Sequence, residues 1–150
     1  MGNICRSPTA EGVFRKLSNQ HFSSEQLHID SCGTIGYHQG ESPDTRSVKA
    51  AENRGYDLSQ LKARKFNSKD FEFFDFILVM DNDNKKNLFE LADNNQSYLN
   101  KIQLFLDFAK NSNTKIVPDP YYGGAGGFDH VIDLIEDASR GLISHLKQGI

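Results

Sequence analysis

From residue 10 onward apolar side chains recur at helical spacing. Ala10, Val13, Phe14 and Leu17 stand at i, i+3, i+4 and i+7. Ser7 is a good N-cap, Pro8 suits a first helical position, and Glu11 brings negative charge near the helix start. The spacing therefore predicts a helix opening at Ser7. Leu27–Ser31, closed by Gly33, reads as a short strand. Ser42-Pro43-Asp44 opens a second helix that runs to about Asn53 and stops at Gly55. Phe76-Ile77-Leu78-Val79-Met80 is an unbroken apolar run ending in Asp81, the pattern of a strand buried on both faces in a parallel sheet. A helix over Lys85–Ala92 follows, then weaker strands at Ile102–Leu106 and Lys115–Val117. The last helix keeps one apolar face through Phe128, Val131, Ile132, Ile135, Ala138, Leu142 and Leu146. Helices alternating with strands predict one α/β domain over residues 1–150, with helices on a central parallel sheet. Such a domain normally opens with a strand. Here a loop runs straight into a helix.

Composition narrows the partners. Seventeen basic against twenty acidic residues give a formal charge of −3. That balance supplies no field for nucleic acid or an anionic membrane, so any anion site must be local. No apolar stretch approaches membrane-spanning length, and the first residues show no leader pattern. A soluble, cytoplasmic protein is expected, with no nucleic-acid or membrane partner. Cys5 and Cys32 are too few for a disulfide framework and fit no metal motif, so neither a metal nor a cofactor is expected.

Candidate chemistry gathers at the front. Gly2-Asn3-Ile4-Cys5-Arg6-Ser7 leads into the first helix. The N–H groups of a helix N-terminus lack intrahelical partners, and the helix dipole favours an anion there. Gly2 permits close backbone approach, and the Arg6 guanidinium can grip two oxygens of a phosphate. The residues alone fit a phosphate cradle and equally a surface loop with a capped helix.

The run Gly2-Asn3-Ile4-Cys5-Arg6-Ser7-Pro8-Thr9-Ala10-Glu11 resembles the phosphate loop of low-molecular-weight protein-tyrosine phosphatases, which carry Cys-x5-Arg-Ser. Pro118-Asp119-Pro120-Tyr121-Tyr122-Gly123 is similar to that family's acid loop. Asp30-Ser31-Cys32-Gly33-Thr34 with Gly36-Tyr37, and Phe76–Asp81, also match in the family's order. The resemblance implies a three-layer α/β fold of flavodoxin-like strand order and hydrolysis of phosphotyrosine through a phospho-cysteine. It implies Arg6 and Asp119 as catalytic residues, although by itself Pro118-Asp119-Pro120 reads as a turn. It further implies phosphate binding by Gly2, Asn3, Ile4, Cys5, Arg6 and Ser7, and loop support by Asn3, Ser7 and Ser31. Tyr37, Tyr121 and Tyr122 match aromatic pocket walls. Phosphotyrosine proteins or small aryl phosphates are the expected partners.

Two departures stand out. The five residues before Arg6 are Met1–Cys5, so the family's nucleophilic cysteine and first strand fall ahead of Met1. Residues 1–150 alone are expected to be a poor catalyst and a marginal fold unless another segment takes the strand's place. Cys5 matches the second loop cysteine of the family, a disulfide partner of the nucleophile, and lies on the wrong arm of the loop for in-line attack. In the stretch Ser59-Gln60-Leu61-Lys62-Ala63-Arg64, Leu61 takes the place of a histidine that supports the loop in many relatives. Arsenate reductases and protein-arginine phosphatases share the fold. The former need relay cysteines beyond Cys32, whereas the latter place Thr at Ile4 and lack the paired tyrosines. A phosphate-binding module without catalysis is the remaining alternative.

Overall fold

A computed structural model describes residues 6–34, 39–120 and 126–149. The first helix, α1, spans Arg6–Ser18 and buries Val13 and Phe14 on its apolar stripe. Ser7 lies inside its first turn and not ahead of it, so the expected cap is a helical residue. Helix α2 spans Thr45–Glu52; Asp44 is its N-cap, its carboxylate accepting from the Arg46 N–H at 2.8 Å. After α2 the chain turns at Gly55, whose φ of +88° suits a residue without Cβ.

A short helix, α3 (Asp70–Phe73), precedes strand β1 (Ile77–Val79). Helix α4 covers Asn82–Ala92, three residues longer at its start than its apolar spacing predicts, because Asp81 caps it through the Asn84 N–H at 2.8 Å. A second short helix, α5 (Gln96–Leu99), leads to strand β2 (Ile102–Leu104). The predicted strand at 102–106 is cut short, since Phe105–Phe108 closes into a 3₁₀ turn. Helix α6 runs from Gly127 to Gly149 with its apolar face inward.

β1 and β2 pair in parallel with Ile77 opposite Ile102 and Val79 opposite Leu104. Side chains alternate across this ladder. Ile77, Val79, Ile102 and Leu104 pack into a cluster with Phe66, Phe71, Leu88 and Ala92. Leu78 and Met80 join the other cluster, formed with α1, α6 and the 3₁₀ turn. The result is an α/β arrangement in which a parallel sheet is covered on both faces.

Two expected strands form no ladder among the described residues. Leu27–Ser31 keeps the burial alternation of a strand, with Leu27, Ile29 and Ser31 half-buried and His28 and Asp30 exposed. Its neighbourhood contributes only the bridge between Gly33 and Lys65. Lys115–Val117 makes a single sheet-like contact, the Val117 N–H donating to the Met80 carbonyl at 2.9 Å. Among the described residues no helix is long and apolar enough to cross a membrane.

Candidate active site

Arg6 begins α1 beside the end of β1, and two separate segments hold its guanidinium. Its Nη1 donates to Asp81 Oδ2 at 2.8 Å and to the Val117 carbonyl at 2.8 Å. The Arg6 and Asp81 side chains are only 10% and 20% exposed, so solvent screens this ion pair little. Burial works to raise the Asp81 carboxyl, but the Asn84 N–H and Arg6 outweigh it and hold the group below the usual carboxylate range. Asp81 therefore stays ionised and does two jobs: one oxygen caps α4 and the other aligns Arg6. A bidentate grip on an oxyanion needs two donors of a guanidinium, and both bonds here are made by Nη1.

Val117 carries the adjoining loop to the same place. Its N–H is held by Met80 and its carbonyl by Arg6, so the chain leaving it, Pro118-Asp119-Pro120, is pinned at its root. Asp119 is exposed, and Arg6, Ser7 and Asp119 line one cavity of about 540 Å³. Gly127 helps keep that loop in position. A Cβ there would stand 2.7 Å from the Pro120 carbonyl oxygen, so α6 starts close behind the loop only because residue 127 has no side chain.

Ser31 reaches α1 from the other wall. Its Oγ donates to Glu11 Oε1 at 2.6 Å, while Glu11 Oε2 accepts from Arg15 at 2.7 Å. Glu11 is 8% exposed, a carboxylate buried with two partners as such a group requires. Arg15 also donates to the Ile29 carbonyl, which stitches the 29–31 segment to α1. Next to it, burial pushes the Cys32 thiol up to about 11 despite the nearby Arg64. The thiol is thus held protonated and is a poor nucleophile. Leu61 packs against the apolar core, contributing no polar partner at the position the resemblance assigns to histidine.

Of the residues singled out in the sequence, Arg6, Ser7, Asp119 and Ser31 all line the one cavity. Gly2, Asn3, Ile4, Cys5, Tyr37, Tyr121 and Tyr122 lie outside the described residues. Sequence reasoning missed Asp81 and the buried role of Glu11. The signal for Asp81 was present: an acid at the carboxyl end of a parallel strand, where sites in open α/β sheets gather. For Glu11 the signal was an acid on the side of α1 that also carries Arg15 one turn later.

Comparison with known proteins agrees with this geometry. The sequence pattern described as "Low molecular weight phosphotyrosine protein phosphatase" matches residues 1–149. The Schizosaccharomyces pombe protein of that description is 41% identical over 96% of this chain and 92% of its own. A protein tyrosine phosphatase of Entamoeba histolytica, solved with HEPES in its active site, superposes with a TM-score of 0.92 at 44% identity, covering 99% of this chain and 94% of its own. A Drosophila arginine phosphatase superposes at 0.82 with 30% identity, covering 100% and 95%. With the fold, the Arg6 anchor and these matches in agreement, the chain belongs to the low molecular weight phosphotyrosine protein phosphatase family.

Proposed function

We propose that this site hydrolyses phosphotyrosine through a phospho-cysteine, with the thiol six positions before Arg6, the place just ahead of Met1. The thiolate attacks phosphorus and displaces the phenolate, which takes its proton from the Asp119 carboxyl. The Asp119 carboxylate then accepts a proton from the water that attacks the phospho-cysteine, releasing phosphate and the thiolate. Arg6 and the N–H groups of Gly2, Asn3, Ile4, Cys5, Arg6 and Ser7 bind the charge that spreads over the phosphoryl oxygens. Asn3, Ser7 and Ser31 support that loop, and Tyr37, Tyr121 and Tyr122 form the walls that take an aromatic ring. Substrates are phosphotyrosine proteins or small aryl phosphates in the cytoplasm.

One observation carries this reading: Arg6 is held at the start of α1 by Asp81 and the Val117 carbonyl, in the same cavity as Asp119. Substrate choice rests on Tyr121-Tyr122, which favours a ring over a guanidinium. Residues 1–150 by themselves should hydrolyse aryl phosphates poorly, because the position six before Arg6 lies ahead of Met1.

The test is an aryl-phosphate assay on residues 1–150 and on the same chain preceded by an apolar strand ending in Cys. The extended chain should gain activity, and Arg6→Lys in it should cut kcat/KM by about 10²–10³-fold. Phosphotyrosine should be cleaved far faster than phosphoserine, since a short alkyl ester does not reach the thiolate. Equal rates on the two would sink the tyrosine walls. Full activity of residues 1–150 that disappears in Cys5→Ser would place the nucleophile at Cys5 instead.

A further inference from the structure

Asp119 stands between two prolines, and a different part of the fold fixes each end of that short stretch. On the amino side Val117 is held by Met80 and Arg6. On the carboxyl side the buried Pro120 rests against Gly127, where an added Cβ would stand 2.7 Å from the Pro120 carbonyl oxygen. Proline fixes its own φ and restricts the residue before it, so Asp119 has few ways to turn once both ends are set. The aim of its carboxyl therefore depends on where α6 begins.

The start of α6 is set from both ends of α2. Just beyond the end of α2, Arg54 donates to the Asp129 carbonyl at 3.2 Å and pairs with Asp133 and Glu136 at 2.8 and 2.6 Å. In the first turn of α2, the Arg46 guanidinium lies over the Phe128 ring, 5.2 Å from its centre. Asp44 holds Arg46 in that place. Its carboxylate accepts from Arg46 Nε at 3.3 Å and Nη2 at 3.2 Å while also capping α2. Helix stability does not account for the placement. Arg46 and Phe128 each stand in the first turn of a helix, and the helix dipole disfavours a cation at both N-termini. What the placement does supply is a planar cation stacked on a ring, a contact with direction as well as attraction.

We propose that Arg46 is a positioning residue for Asp119. Through Phe128 and Gly127 it seats Pro120, and so aims the carboxyl that protonates the departing phenolate. The proposal rests on the reading of Asp119 as that acid and deepens it. Arg46 acts on the start of α6 and not on the substrate, so its loss slows only a step that needs the proton.

The test uses the chain preceded by a strand ending in Cys, and compares phenyl phosphate with 2,4-dinitrophenyl phosphate. The first leaving group needs a proton and the second does not. The readout is kcat/KM, which covers every step up to loss of the phenolate. Asp119→Asn should lower it for phenyl phosphate by about 10²-fold or more and leave the dinitrophenyl ester near the parent. Arg46→Ala should repeat that pattern on a smaller scale, losing about two- to fivefold on phenyl phosphate alone. Arg46→Lys keeps the charge without the plane and should recover part of the loss. Added to Asp119→Asn, Arg46→Ala should cost nothing more, because both act on one proton transfer. A second measurement does not depend on turnover. The N–H order parameter of Asp119 should fall from about 0.85 towards 0.6 in Arg46→Ala. Equal losses on the two esters, additive effects in the double variant, or an unchanged order parameter would overturn the role of Arg46. If Asp119→Asn itself leaves phenyl phosphate unaffected, the acid assignment falls, and the role of Arg46 with it.

Discussion

On one edge of β1 the backbone is spent in a ladder with β2, and the side chains beyond it are closed off by Phe71, Leu88 and Ala92. On the other edge the backbone faces a groove that reaches from Phe73 to Arg6. Both edges carry the same three residues, Ile77, Leu78 and Val79. The residues are identical, so the contrast comes from what lies alongside them. The closed edge is stabilised by apolar burial and paired N–H groups. The open edge ends in a polar assembly, Arg6 with Asp81 and Val117. Where the structure leaves backbone available, it also holds its candidate chemistry.

This contrast can be broken from the closed side first. Gly141 lies where α6 crosses the 3₁₀ turn, and a Cβ there would land on the Phe108 carbonyl oxygen. Backbone cannot move aside as a side chain can, so Gly141→Ala should destabilise by roughly 3 kcal/mol or more, read from urea unfolding. Ile135→Ala, in the same fully buried layer, should cost about 2–5 kcal/mol. Leu78→Ala, half-buried beside the groove, should cost clearly less than Ile135→Ala. An equal cost for the two would mean that the groove side is packed as tightly as the core.

The ion pair at the groove end sharpens the comparison further. Asp81→Asn keeps the size of the side chain and removes its charge, and should cost about 1–3 kcal/mol at neutral pH. The sign follows from the depressed carboxyl. Its contribution is present above the unfolded carboxylate value near pH 4 and is lost as pH falls through the lower folded value. The gap between the parent and Asp81→Asn should therefore close below about pH 4. A gap that persists at pH 2 would mean that Asp81 acts through shape and not through charge. Phosphate protection of the fold against heat should weaken in the same variant, because Arg6 loses its alignment.

The smallest effect belongs to the far end of the groove. Phe73 is 62% exposed and touches His28 edge-on. Phe73→Ser should change stability by no more than about 0.5 kcal/mol. A larger loss would show that the aromatic contact across the two walls holds the groove in shape.

The sequence by itself determined the elements whose periodicity is long and whose ends are marked. Helix α6 declares itself by one apolar face, α2 by Asp44 and Gly55, and β1 by an unbroken apolar run. These are local signals, since the spacing of apolar residues and the capping groups lie within the element itself. Arg6 and Asp119 were legible for a different reason, their setting in motifs resembling a known family. The tertiary structure decided everything that depends on neighbours. The strand expected at Leu27–Ser31 has the right alternation, yet a strand is defined by its partner, and none of the described residues supplies one. The 3₁₀ turn at Phe105–Phe108 ends β2 where α6 packs against it, a contact between residues far apart in sequence. Asp81 is 75 positions from Arg6, so its grip on the guanidinium follows only once β1 and α1 are brought side by side. Charge pairs and ladders form across space, and a linear pattern records only what each segment brings to them.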